Sequence, residues 1–525
     1  MASKNRTKVT FMALLLIIAA VGVSLCIDND TDNPDPVNSA NHLNCALAFG
    51  PSDTLDPVSK WVGWYVREVG LYETLFSYDE NMALHPELAT GYEKISDTEW
   101  EISLREGVKF HDGTVMDAQA VVYSLNRVLD SDNSRKSEYD FIDTITSDSG
   151  NTIRITTKYP YAPTIASLTD PIMSIVSPHA GDLSTTPVGT GPFKFKSYTR
   201  EVSISVEKFD DYWNGVPLLE SMDVYFVSDG LTRLFKMESG EVDLITGVPQ
   251  SEVRALQNSG EYEVFTKETL RSYFLYVNMK KEPFNDVNFR QALNHALDRQ
   301  EIVDVALEGI GGTPAMGVLP SVSEWSINDE IRPIQRNETR VRELLSEAGL
   351  EDVNGDGWLD YKGKDFEISI VTYTNRPQLK PSAEIIETQF ESVGLRTRVI
   401  TMESSAIEAD MVNGNYDLAL YAWMIAPTGD PDYFFSKHFA STGNEAQKTG
   451  YSNPQVDEWI NSARQTMDEE LREEYYDNVQ WQILEDCPEI FVFYQNSMDA
   501  ASTKVGGFKQ YPNEITILTE DIYLK

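Results

Sequence analysis

Between Trp100 and Val128 the hydrophobic period changes from two residues to about 3.6, and no other feature limits the fold as much. The segment reads WEISLREGVKFHDGTVMDAQAVVYSLNRV. Trp100, Ile102 and Leu104 alternate with polar residues, as in a strand with one buried face. Asp112-Gly113 predicts a turn, because glycine takes a positive φ without steric cost. Val121, Val122, Leu125 and Val128 then recur at helical spacing.

The same alternation of element types continues downstream. Glu367 to Thr372 reads as a strand, and Ser382 to Val393 as an amphipathic helix carrying Ile385, Ile386, Phe390 and Val393 and ended by Gly394. Thr397 to Met402 is the next strand, so this stretch predicts one βαβ crossover. Interleaved strands and helices with no internal repeat point to an α/β fold rather than a sandwich or bundle. At 525 residues the chain exceeds what one hydrophobic core supports, so more than one lobe is expected.

Eighty-three acidic against 43 basic residues give a formal charge of −40. That balance argues against nucleic acid and against docking of the body on anionic lipid, and fits a solubilising acidic surface. GxSxG, HExxH, paired CxxC and phosphate-binding glycine loops are all absent from the sequence. A secreted hydrolase of another type is the alternative from a different class, without a catalytic constellation to carry it.

Lys4, Arg6 and Lys8 precede an apolar run from Val9 to Leu25, the pattern of an export signal. Val23-Ser24-Leu25-Cys26 reads as a lipobox with Leu25 in place of the usual small residue. Residues 1–26 are therefore a signal peptide with lipidation at Cys26, or an uncleaved anchor. Residues 27–41, rich in Asp, Asn and Pro, read as a flexible tether. Cys45 and Cys487 are read as small buried hydrophobes rather than as a disulfide.

Several further strings occur in a fixed order. They are Leu55-Asp56-Pro57, Tyr72-Glu73-Thr74-Leu75, Pro187-Val188-Gly189-Thr190-Gly191-Pro192-Phe193, Tyr212-Trp213-Asn214-Gly215, Gly240-Glu241-Val242-Asp243-Leu244, and Phe289 to Arg299. With the Trp100–Val128 segment, in which Gln119 and Ala120 depart slightly, they resemble the extracellular solute receptors of ABC importers in the peptide- and nickel-binding family. The resemblance runs from about Cys45 to the C-terminus. It implies an α/β, two-lobed periplasmic-binding-protein-like fold with a hinge and an inserted subdomain in the first lobe. Lobe I would comprise 42–270 plus 498–525, with 77–189 inserted, and lobe II 271–497. It also implies a monomeric, non-catalytic receptor at the outer face of the cytoplasmic membrane. The partners would be the permease subunits and, through them, the ATPase.

Thr372 to Pro377 reads as a strand end running into a loop, and Tyr373 and Arg376 in it are candidate ligand contacts. A guanidinium at a strand tip can hold a carboxylate with two parallel hydrogen bonds; the competing reading is a solvated loop arginine. The resemblance favours the first, because Arg376-Pro377 matches an Arg-Pro that contacts ligand in dipeptide- and nickel-binding relatives. Trp423 ends a strand before the loop Met424 to Tyr433, where it packs on a ligand or caps the core. Asp430 in that loop is either an ammonium partner or a turn residue. Trp61, Trp64 and Tyr65 either wall the cleft or pack the lobe.

Ala426-Pro427 resembles the loop of nickel-binding relatives and tilts the expected ligand narrowly toward a nickel chelate, with a short peptide as the alternative. The segment matching a nickel-relative arginine, Ala166 to Pro178, contains none, which weakens the nickel reading. Of the six histidines, His438 is the candidate imidazole for a metal, against core or surface placement. Asp352, Asn354, Asp356 and Asp360 resemble a calcium loop, but Gly363 stands where the closing bidentate carboxylate belongs, so a turn is preferred. No resident cofactor is expected.

Overall fold

The computed structural model describes residues 41–130, 132–147 and 150–525. The leader, Cys26 and residues 27–40 of the expected tether lie outside the described residues. Among those described, no helix is long and apolar enough to cross a membrane.

The Trp100–Val128 segment folds as its pattern requires. Glu99–Leu104 pairs antiparallel with Ala89–Ser96 and Thr152–Thr157. Gly113 takes φ 83° at the turn, where the Thr114 amide donates to Asp112 Oδ1 at 2.9 Å. The helix Ala118–Asp130 buries Val121, Leu125 and Val128. With Trp100, Ile102 and Ile155 these side chains form a core of their own.

The main sheet runs Arg396–Met402, Glu367–Tyr373, Leu418–Met424, Tyr262–Val277, Glu489–Ser502, Leu244–Ile245, His42–Leu47, Ser221–Phe226, Ser203–Lys208 and Phe193–Thr199. Glu367–Tyr373 and Arg396–Met402 are parallel and joined by the helix Leu379–Glu391, the expected crossover. That helix begins nearly a turn before the pattern indicates. Pro381 obscures its start, although proline is tolerated in a first turn whose amides have no helical partner.

Two long strands, Tyr262–Val277 and Glu489–Ser502, pair antiparallel through the middle of this sheet. Their register breaks between Glu268 and Ser272. Beyond the break, Tyr273 to Val277 and Ile490 to Tyr494 join a core with Ile370, Phe390, Leu420 and Tyr476. Before it, Val264 and Phe265 pack with separate cores built on Ala46, Val224, Phe193 and Ala501. The two strands thus run through both halves of the sheet, while the hydrophobic cores on either side of the register break are separate. This is the two-lobed α/β architecture, with the lobes joined by a pair of strands.

Cys45 and Cys487 are free thiols buried in different cores. The carboxylates of Asp352 and Asp356 accept backbone N–H groups of their own turn, from Gly355 at 2.7 Å, Gly357 at 3.0 Å and Trp358 at 2.9 Å. Asp360 likewise accepts from Val353 at 3.1 Å. These residues close a turn on themselves.

Candidate functional site

The short helix Val62–Glu68 lies hard against the turn Pro171–Met173. A Cβ on Gly63 would come within 2.6 Å of the Pro171 carbonyl oxygen, so only glycine permits the approach. That contact turns Trp64 and Tyr65 toward the end of the strand Leu418–Met424. Together with Trp61, Arg271, Tyr421, Trp423 and Tyr433 they line a cavity of about 280 Å³. Trp61 and Trp64 meet edge to face, with ring centres 5.7 Å apart. Behind the wall, Tyr373 packs on Tyr421 at 4.7 Å and is itself buried.

Arg271 emerges where the register of the long strands breaks. Its Nη2 donates to Glu514 Oε2 at 2.7 Å and its Nε to the same carboxylate at 3.2 Å. Burial pushes the Glu514 carboxyl up, but Arg271 and then Arg376 outweigh it, and the net direction is down. Glu514 also lines a second cavity, of about 150 Å³, with Arg376, Glu68 and Asp499. The Arg271–Glu514 pair therefore links an aromatic cavity to a polar one.

Arg376 sits in the loop after Glu367–Tyr373, its guanidinium 5.5 Å from the centre of the Phe49 ring. Among the described residues it makes no ion pair. A half-buried guanidinium without a carboxylate, beside aromatic walls, is chemically suited to a ligand carboxylate.

Trp64, Tyr65 and Trp423 thus share one cavity, with Tyr373 behind them and Arg376 in the adjoining one. Two expected residues lie elsewhere. Asp430 is buried and bonded to Arg472, with Nη2 2.9 Å from Oδ2, at the edge of a different cavity of about 310 Å³. Its charge is already engaged, so the ammonium-partner expectation is corrected to a structural pair. His438 is enclosed by Phe274, Phe434 and Tyr276, and its Nδ1 is 2.7 Å from Glu489 Oε1. Burial pushes the pKa of this imidazole well below the ordinary histidine range. It backs Trp423, with ring centres 5.0 Å apart, and does not reach the cavity. The metal-ligand expectation is therefore corrected to a core histidine. Among the described residues no cluster of His, Cys, Asp and Glu is placed to hold a metal.

Arg271, Glu514, Glu68, Tyr421 and Tyr433 were not expected at the site. Only Tyr433 lay inside a segment already singled out, the loop after Trp423. Arg271 and Glu514 are 243 residues apart in the chain, and neither carries a local signal.

Residues 83–446 match the bacterial extracellular solute-binding proteins, family 5, middle region. The chain is 29% identical over 484 residues to the glutathione-binding protein GsiB of Pectobacterium atrosepticum, covering 89% of this chain and 90% of that one. It is 27% identical over 491 residues to the nickel-binding protein NikA of Staphylococcus aureus, covering 92% and 94%. The crystal structure of that NikA in complex with Ni(L-His)2 superposes with a TM-score of 0.78 at 26% identity, over 93% of this chain and 100% of that one. The chain belongs to the family 5 bacterial extracellular solute-binding proteins, substrate-binding components of ABC importers that act as transport receptors and not as enzymes.

Proposed function

We propose that this receptor is tethered to the outer face of the cytoplasmic membrane and captures a small carboxylate-bearing solute between its lobes for delivery to the permease. The unpaired guanidinium of Arg376 beside the aromatic cavity carries this reading. In a closed cleft, a bidentate pair with a ligand carboxylate is shielded from water and stronger than an exposed one. Trp64, Tyr65 and Trp423 would supply apolar contact, and Tyr373 would stiffen the wall from behind.

Lobe I is taken as 42–270 plus 498–525, with 77–189 inserted, and lobe II as 271–497. The separate hydrophobic cores on either side of the Glu268–Ser272 register break support that division. Closure about the paired strands would bury the solute and present a new surface to the permease.

A nickel chelate and a short peptide both meet the carboxylate requirement. Similarity to NikA and the Ala426-Pro427 loop favour the chelate, whereas similarity to GsiB favours a peptide-like solute. With His438 in the core, a nickel ion would arrive with its coordination supplied by the chelator. Native mass spectrometry and metal analysis of the receptor purified from its own cells test the reading. A stoichiometric carboxylate-bearing solute is expected, with or without nickel. A bound solute lacking any carboxylate would contradict it.

A further inference from the structure

Glu68 is the last residue of the helix Val62–Glu68, one turn beyond Trp64 and Tyr65. It lines the same cavity as Arg376. Its backbone carbonyl accepts from the Leu518 amide at 3.0 Å. Its carboxylate has neither a hydrogen-bond nor an ion-pair partner among the described residues. Arg376 apart, the charged groups lining this cavity are acidic or engaged. Glu514 is bound to Arg271 at 2.7 Å, and Asp499 accepts from the Gly247 amide at 3.0 Å. Lys509 lies 3.7 Å from both Glu80 and Asp521.

We infer that Glu68 is the ammonium subsite of this receptor, so that the solute is a zwitterion with a free amino group at Glu68 and a carboxylate at Arg376. The inference rests on the reading of Arg376 given above and narrows it. An amino acid or short peptide with an uncoordinated amine fits, and a chelate whose amines are all bound to metal does not. A carboxylate at a helix C-terminus faces the negative end of the helix and gains from a cation brought by a ligand. Burial and the neighbouring Glu514 push the Glu68 carboxyl well above the usual carboxylate range and favour its neutral form, and a ligand ammonium beside it would oppose both effects. The position differs from the Ala426–Asp430 loop, where an acidic partner was sought from the sequence.

The test is calorimetry with L-alanyl-L-phenylalanine, its N-acetyl derivative and the nickel–histidine complex, on wild type, Glu68→Gln and Arg376→Ala. Wild type should bind the free dipeptide at least about tenfold more tightly than the acetylated one, the scale of a hydrogen bond to a charged group. Glu68→Gln, which keeps the side-chain shape, should abolish that preference. The inference is overturned if the preference survives in Glu68→Gln, or if the acetylated peptide binds wild type equally well. It is also overturned if wild type takes the nickel complex alone, or takes none of the three. Unchanged binding of every probe by Arg376→Ala would instead count against the carboxylate reading, so the two failures are distinguishable.

Discussion

Arg271 and Glu514 hold each other at 2.7 Å, one at the register break of the paired long strands and the other in the C-terminal tail. Both are largely withdrawn from solvent, so removing one leaves the other charge uncompensated. Glu514→Gln should cost roughly 3 kcal/mol at neutral pH, measured by denaturant unfolding. The pH dependence follows from the depressed Glu514 carboxyl. Such a group adds stability above its unfolded value, near 4.3, and that stability drains as pH falls through the lower folded value. Glu514→Gln should therefore flatten the acid limb of the stability profile. An unchanged acid limb would remove Glu514 from this role.

Asp430→Asn tests the corrected assignment of the loop after Trp423. Arg472 would lose its buried carboxylate, with a stability cost of about 3 kcal/mol. Ligand affinity should stay within about twofold, because Asp430 lines a different cavity. A large loss of affinity at unchanged stability would return Asp430 to the ligand.

Much of the fold was legible because it rests on local periodicity. Alternation in Glu99–Leu104 and helical spacing in Ala118–Asp130 each specify an element whose buried face is visible within a few residues. The aromatic wall was legible in part, since Trp64 and Tyr65 are adjacent and Trp423 closes a strand. The ion pairs were not. Arg271–Glu514 and Asp430–Arg472 join residues 243 and 42 positions apart, and sequence spacing carries no information about which charges meet. His438 illustrates the opposite case. Phe434 lies four residues earlier on the same helical face, so burial of the imidazole beside it was foreseeable from spacing alone.

His438→Ala should leave any bound metal unchanged and lower stability by about 2–4 kcal/mol, through the cavity opened behind Trp423 and the stranded Glu489. Metal analysis and thermal unfolding of the variant check both halves. Loss of a stoichiometric metal with the fold intact would restore the ligand role.

The N-terminal reading is tested in cells. Cys26→Ser should release the protein into the soluble extracellular fraction if lipidation holds it, as the lipobox Val23-Ser24-Leu25-Cys26 implies. Retention of the variant on the membrane would favour an uncleaved apolar anchor. Recovery from the cytosol would contradict export itself.

The central claim is that Arg376 supplies the charge contact to the solute. Calorimetry of Arg376→Ala with the solute recovered from cells measures it most directly. Leaving a buried ligand carboxylate unpaired costs on the order of 2–5 kcal/mol, so affinity should fall at least about thirtyfold while the fold stays intact. Arg376→Lys should restore only part of it, because an ammonium lacks the planar fork. An unchanged dissociation constant for Arg376→Ala would contradict the account and leave Arg376 a loop residue packed on Phe49.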